Sequence, residues 1–111
     1  MIGLLIAAQI AAADVAQAQK AALDTYQTCV RTNAKAFRES DLSGDPAVIV
    51  VYAAAYTCSV ERAELIEKIK LFLHSRNSAL PLGSLGKVTA MFIEGMDSEL
   101  EQQLVIELGQ K

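Results

Sequence analysis

Few residues in this 111-residue chain have the types and spacing that chemistry requires. Cysteine appears twice, at Cys29 and Cys58, and histidine once, at His74. Any Ser-His-Asp or Cys-His machinery would have to use His74, and a multi-histidine metal site is excluded. His74 stands without a partner at triad or ligand spacing. Its place beside Lys68, Lys70 and Arg76, near a helix C-terminus, accounts for it. The run Asp41-x-Ser43-Gly44-Asp45 has the opening of a calcium loop. However, Pro46 falls where the sharp turn needs glycine, and Tyr52 falls where calcium needs a bidentate glutamate. Glu94, Asp97 and Glu101 share a helix face, and a solvated acidic surface opposite Lys68 and Lys70 explains them without an ion. Tyr26, Tyr52 and Tyr56 sit at helical spacings and read as core residues with a polar edge. No phosphate loop, nucleophile elbow or metal motif is present. These observations predict no catalytic, cofactor-binding or metal site, and a protein that is not an enzyme.

The cysteine pair carries the most information. Cys29 lies 14 residues before Ser43 and Cys58 lies 15 after it. In an antiparallel helical hairpin bent at Ser43, the two sulfurs come to the same height, on the stripes Tyr26-Cys29-Val30 and Val51-Ala55-Cys58. A disulfide requires this placement. Two reduced core thiols or a redox pair are the competing readings, and a Cys-x-x-Cys motif for the latter is missing.

The elements that would hold this pair follow from periodicity and punctuation. Gln19 to about Ser40 reads as a first helix, with Leu23, Tyr26, Val30, Ala34 and Phe37 on one stripe. Ser40 to Asp45 is a turn. Asp45 as N-cap and Pro46 in the first helical position start a second helix that runs to about Ser75. Its first half, Ala47 to Cys58, is apolar almost all round and is expected to be buried on several sides. Its second half is amphipathic through Leu65, Ile69 and Phe72, with Glu64 and Lys68 paired four apart. Asn77 to Gly86 reads as a loop. Val88, Phe92, Met96, Leu100, Leu104 and Leu108 then recur every four residues. Gly95, followed by the Ser98/Glu101 capping pattern, leaves open whether this last element is one helix or two, and Gly109 is a C-cap. The expected fold class is all-α: a disulfide-stapled antiparallel helical hairpin plus one or two carboxy-terminal helices, forming a small bundle.

Residues 1–18 read as a secretory leader. Ile2 to Ala13 is uncharged and apolar apart from Gln9, which is too short for a membrane span. Ala16-Gln17-Ala18 supplies a cleavage pattern that would leave 19–111 as a single domain, and Ala11-Ala12-Ala13 supplies a second. The competing reading is an uncleaved alanine-rich helix in a cytosolic protein. A retained leader is expected to project as a detached helix. Export would place the cysteines in an oxidising compartment.

Composition narrows the partners. Ten basic against thirteen acidic residues leave a net charge of −3, which provides no cationic excess for nucleic acid. Eighteen alanines and six aromatic residues imply a thin core, the situation in which small domains use a covalent staple or a partner.

The signal-like start, Tyr26-x-x-Cys29-Val30, Ala54-Ala55-x-x-Cys58 and Glu61-Arg62 together resemble small exported two-cysteine helical proteins of alphaproteobacteria, over Leu23 to Glu67. The resemblance implies a periplasmic or secreted protein with a disulfide, and no activity. The expected function is therefore protein–protein contact, with a protein partner or self-association and no membrane span in the mature chain. The alternative is a binding module for an apolar ligand or peptide, in a groove between the hairpin and Met91, Phe92 and Met96.

Overall fold

A computed structural model describes the backbone of residues 2–109 and the side chains of 14–109. Met1 and the side chains of 2–13 lie outside the described residues, and with them most of the expected leader and its alternative cleavage point after Ala13. The fold is all-α: α1 (Ile2–Glu39), α2 (Ala47–Thr57), α3 (Ser59–Arg76) and α4 (Leu82–Leu108). The expected boundary at Ala18 falls inside the continuous backbone of α1, whose first buried described residue is Ala22.

Alanine has the best intrinsic helix propensity, and α1 is rich in it without a Gly or Pro from Leu4 to Glu39. Its buried residues, Ala22, Tyr26, Val30 and Ala34, recur every fourth position, and Val15, Ala16 and Ala18 are only half-buried. The turn that follows is held by Arg38. Its Nη1 donates to the carbonyls of Asp45 (2.7 Å), Ser43 (3.4 Å) and Leu42 (3.5 Å), while Nη2 reaches the Gly109 carbonyl (3.4 Å). One guanidinium thus satisfies main-chain acceptors at the first turn and at the end of α4.

The second helix differs from expectation at both its start and its middle. Pro46 is the N-cap rather than the first helical residue: its ψ of 144° keeps it extended while its carbonyl accepts from Ile49 and Val50. Asp45 makes no side-chain cap, and its contribution is the carbonyl bound by Arg38. The expected single helix from Pro46 to Ser75 is two helices, parted at Cys58. There ψ is 28°, and the N–H is shared between the Ala54 and Ala55 carbonyls at 3.1 Å each. This local tightening re-aims α3 at the residue tied to α1, with no Gly or Pro to announce it.

α4 runs unbroken through Gly95, and it begins at Leu82 rather than after Gly86. A Cβ built on Gly95 meets no atom within 4 Å. Of the one or two helices expected after the loop, the structure has one. Gly95→Ala is therefore expected to raise stability by about 0.5–1 kcal/mol, by removing the backbone entropy of glycine in a helix interior. Thermal unfolding followed by circular dichroism checks this, and a loss of stability would restore the break.

The buried stripe of α4 also differs from the four-residue repeat. Leu85, Thr89, Ile93, Leu100 and Leu104 are buried, Phe92 is exposed and Val88 only half-buried. A helix has 3.6 residues per turn, so strict four-residue steps drift around the cylinder by about 40° each. The observed stripe corrects the drift by advancing seven residues from Ile93 to Leu100. On α3, Leu65 and Ile69 are buried as the pattern predicts, Phe72 is half-buried beneath the Arg76 guanidinium, and Glu64 pairs with Lys68 at 3.4 Å. Gly109 caps α4 in the left-handed region, with φ 79°.

Candidate functional site: a groove between the second and fourth helices

The disulfide fixes the frame. Cys29 and Cys58 are bonded, with Cα atoms 6.0 Å apart, joining α1 to the α2–α3 junction. The Asn33 amide donates to the Cys29 carbonyl at 2.9 Å and lies 3.5 and 3.6 Å from the two sulfurs. A Glu61 carboxylate oxygen sits within 4.8 Å of both sulfurs, which are committed to each other. The reading of two reduced core thiols gives way to a disulfide bridge.

One turn from the bridge, three side chains meet from three helices. The Tyr26 hydroxyl donates to Asp97 Oδ1 at 2.7 Å, and Arg62 approaches Asp97 Oδ2 through Nε (3.1 Å) and Nη2 (2.9 Å). Tyr26 is 2% exposed, so its hydroxyl has exchanged water for this one acceptor. Burial, then the hydrogen bond and negative charge of Asp97, push the Tyr26 phenol above its usual value of 10.0. Burial works against the Arg62 charge, but Asp97 outweighs it and holds the guanidinium protonated more firmly than in water. Asp97 is thus not part of a solvated face opposite Lys68 and Lys70. Those lysines pair instead with Glu64 and Glu67 of their own helix.

The raised phenol carries a pH signature. The folded state favours the protonated form, so the stability it contributes is complete below pH 10.0 and is lost as pH rises toward the folded value. Urea midpoints are expected to be flat from about pH 7 to 9 and to fall above 10, with a shallower fall in Tyr26→Phe. An equal fall in the variant would contradict the assignment.

This trio closes the inner end of a cleft of about 130 Å³ whose walls are Val51, Tyr52 and Ala55 of α2 and Leu100 and Glu101 of α4. Two further clefts continue it. One shares Glu101 and is lined by Val48, Val105 and Ile106; the other shares Ala55 and Arg62 and is lined by Tyr56, Ala63 and Ile66. The clefts at Val51 and Val48 lie between α2 and α4, whereas the cleft at Tyr56 is lined by α2 and α3.

The outer rim of this groove is apolar. The expectation that α2 is buried on several sides is corrected: Ala47, Val50, Val51 and Ala54 are buried, but Ile49, Tyr52 and Tyr56 are exposed by 45%, 59% and 84%. Tyr52 and Tyr56 are accordingly surface residues, not core. A four-helix arrangement this small covers only one side of an all-apolar helix. Met91 and Phe92 are exposed on α4, Met96 is half-buried against the core, and none of the three lines the clefts described. The Tyr26–Asp97–Arg62 trio was missed in the sequence, although the motif that carries the family resemblance contains Tyr26 and Arg62.

No helix among the described residues is long and apolar enough to cross a membrane. The chain matches no family model, no curated protein and no solved structure.

Proposed function

We propose that this protein acts by contact with another macromolecule, through the groove between α2 and α4, in an oxidising compartment outside the cytoplasm. The observation that carries the reading is the pair Tyr52 and Tyr56. These are large apolar side chains left in water beside an apolar cleft. An exposed apolar patch against a groove is the usual mark of an interaction surface, and tyrosine is enriched there. The polar groups at the inner end of the cleft neutralise one another, which suits them to shaping the wall rather than to proton transfer. The apolar-ligand alternative is weaker. The best enclosed of the clefts is only about 130 Å³, which suits an anchoring side chain, while those of about 370 and 440 Å³ beside it lie open to solvent rather than enclosing a ligand as ordinary small-molecule sites of ~300–1,000 Å³ do.

Export is supported by the bridge, by the leader-like start, and by the first buried described residue of α1 being Ala22, beyond the expected cleavage point. The resemblance to exported alphaproteobacterial proteins agrees with it. Size-exclusion of gentle extracts from the native cells tests the contact. The chain is expected to elute well above its own mass of 11.9 kDa. Tyr52→Asp is expected to elute as a monomer, and Phe92→Asp to behave as the unaltered chain. Elution of the unaltered chain as a monomer, or no difference with Tyr52→Asp, would reject the reading.

A further inference from the structure

We propose that the Cys29–Cys58 bridge is a thiol–disulfide exchange site, entered at Cys29, in which Glu61 takes the proton of the buried Cys58 thiol as the bridge closes. The site stands apart from the contact surface, because neither cysteine nor Glu61 lines the clefts at Val51, Val48 or Tyr56. The two sulfurs differ in access. Cys58 is 0% exposed, whereas Cys29 is half-buried. An incoming sulfur therefore meets Cys29 first. Cys58 stands at the N-cap of α3, where the helix dipole favours a thiolate, but at zero exposure bulk water does not reach it to take the proton.

Glu61 supplies the acceptor that solvent does not. One of its carboxylate oxygens lies within 4.8 Å of both sulfurs, a span that one water or a small rotation of the side chain closes. The fold makes no other use of this group. Its Oε2 is buried without a hydrogen-bond partner, and it joins no ion pair among the described residues. At the third position of α3 it could cap the Cys58 N–H, but the Ala54 and Ala55 carbonyls already take that N–H. The proton has an exit, because Glu61 also lines a cleft between α1 and α3 that is open to water. The other charged groups of that cleft, Glu64 and Lys68, pair with each other, and α1 lines it with no charged residue. α2 carries no charge from Ala47 to Thr57. The Asn33 amide nitrogen, 3.5 and 3.6 Å from the two sulfurs, is placed to meet negative charge developing on either.

In closure, the Cys29 thiolate attacks an external disulfide, forming a mixed disulfide and releasing one thiolate of the reagent. Cys58 Sγ then attacks Cys29 Sγ and passes its proton to Glu61. The bond from Cys29 to the reagent breaks, and its electron pair leaves on the second reagent thiolate. The chain is oxidised by two electrons, the external disulfide is reduced by two, and Glu61 returns the proton to water.

The kinetics of closure test the proposal. The full chain is reduced, freed of reductant in the presence of a metal chelator, and mixed with oxidised glutathione. Acid-quenched samples are resolved by mass into reduced, mixed-disulfide and bridged forms. At about pH 7 the step from mixed disulfide to bridge is expected to be at least about tenfold slower in Glu61→Gln than in the unaltered chain. The deficit is expected to shrink above about pH 9, where hydroxide ionises thiols unaided. Equal closure in the variant would overturn the proton transfer. Faster closure would overturn it too, by showing that the carboxylate only repels the thiolate. The unaltered chain alone gives a second readout: its closure rate should vary little from about pH 6 to 8, whereas a rise of about tenfold per pH unit would mean that no fixed group accepts the proton. Peptide mapping should place glutathione on Cys29, and glutathione mainly on Cys58 would overturn the point of entry. Circular dichroism of the reduced chain is read alongside, because loss of its helices on reduction would place closure in an unfolded chain and reject the proposal.

Discussion

Cys29→Ser with Cys58→Ala is expected to cost about 3.5 kcal/mol of folding stability, and to lower the melting temperature by about 20 °C. The bridge spans 29 residues of sequence. In the chain-entropy account, a closed loop of that length removes enough freedom from the unfolded chain to be worth about 3.5 kcal/mol. A domain of this size has a total stability of about 5–10 kcal/mol, so the bridge is a large share of it. The core it braces is thin. Ala22, Ala34, Ala47 and Ala54 are four of the fifteen buried apolar residues among those described, and each buries little surface. Cys58 is 0% exposed, and alanine there avoids burying a hydroxyl. Urea unfolding by circular dichroism at 222 nm measures the effect. The unaltered chain in excess dithiol reductant should converge on the variant. Indifference of both to oxidation state would show that packing alone holds α1 to the α2–α3 junction.

Asp97→Ala is expected to cost about 2 kcal/mol, with most of the loss falling on Tyr26. Tyr26 is buried and its hydroxyl has Asp97 as its one protein acceptor, so truncation leaves that donor without its partner. The Arg62 side chain is 37% exposed, so solvent recovers much of what the guanidinium loses, and its share is correspondingly discounted. Replacing all three together, Tyr26→Phe, Arg62→Met and Asp97→Leu, should cost less than Asp97→Ala alone, because no buried polar group is then orphaned. Chemical unfolding of the four chains checks this. A triple variant that loses more than the single one would mean that the trio stabilises the fold beyond satisfying its own members.

The parts of the fold that were legible from residues alone are those fixed by arithmetic along the chain. Cys29 and Cys58 stand at nearly equal distances from the turn at Ser43, and hairpin geometry then requires them to meet. Leu65 and Ile69, and Leu100 and Leu104, follow local periodicity and are buried. The features that escaped depend on tertiary contact. The break at Cys58 has no Gly or Pro to mark it, and its backbone departs from the helix only at the residue bonded to α1. Asp97 lies 71 residues from Tyr26 and 35 from Arg62, and its spacing to Glu94 and Glu101 suggested solvent instead. An all-apolar α2 predicts burial, but not which side the bundle leaves uncovered. That uncovered side, with Ile49, Tyr52 and Tyr56, is where the candidate site lies.

The central claim is that the α2 rim of the groove is covered when the protein is at work. Hydroxyl-radical labelling of Tyr52, Tyr56 and Phe92, in native cells and in the purified chain, tests it most directly. All three are exposed in the isolated chain, and Phe92 lines none of the clefts. The account predicts that labelling of Tyr52 and Tyr56 falls several-fold in cells while Phe92 is labelled equally in both. Equal labelling of all three residues in both settings would contradict it.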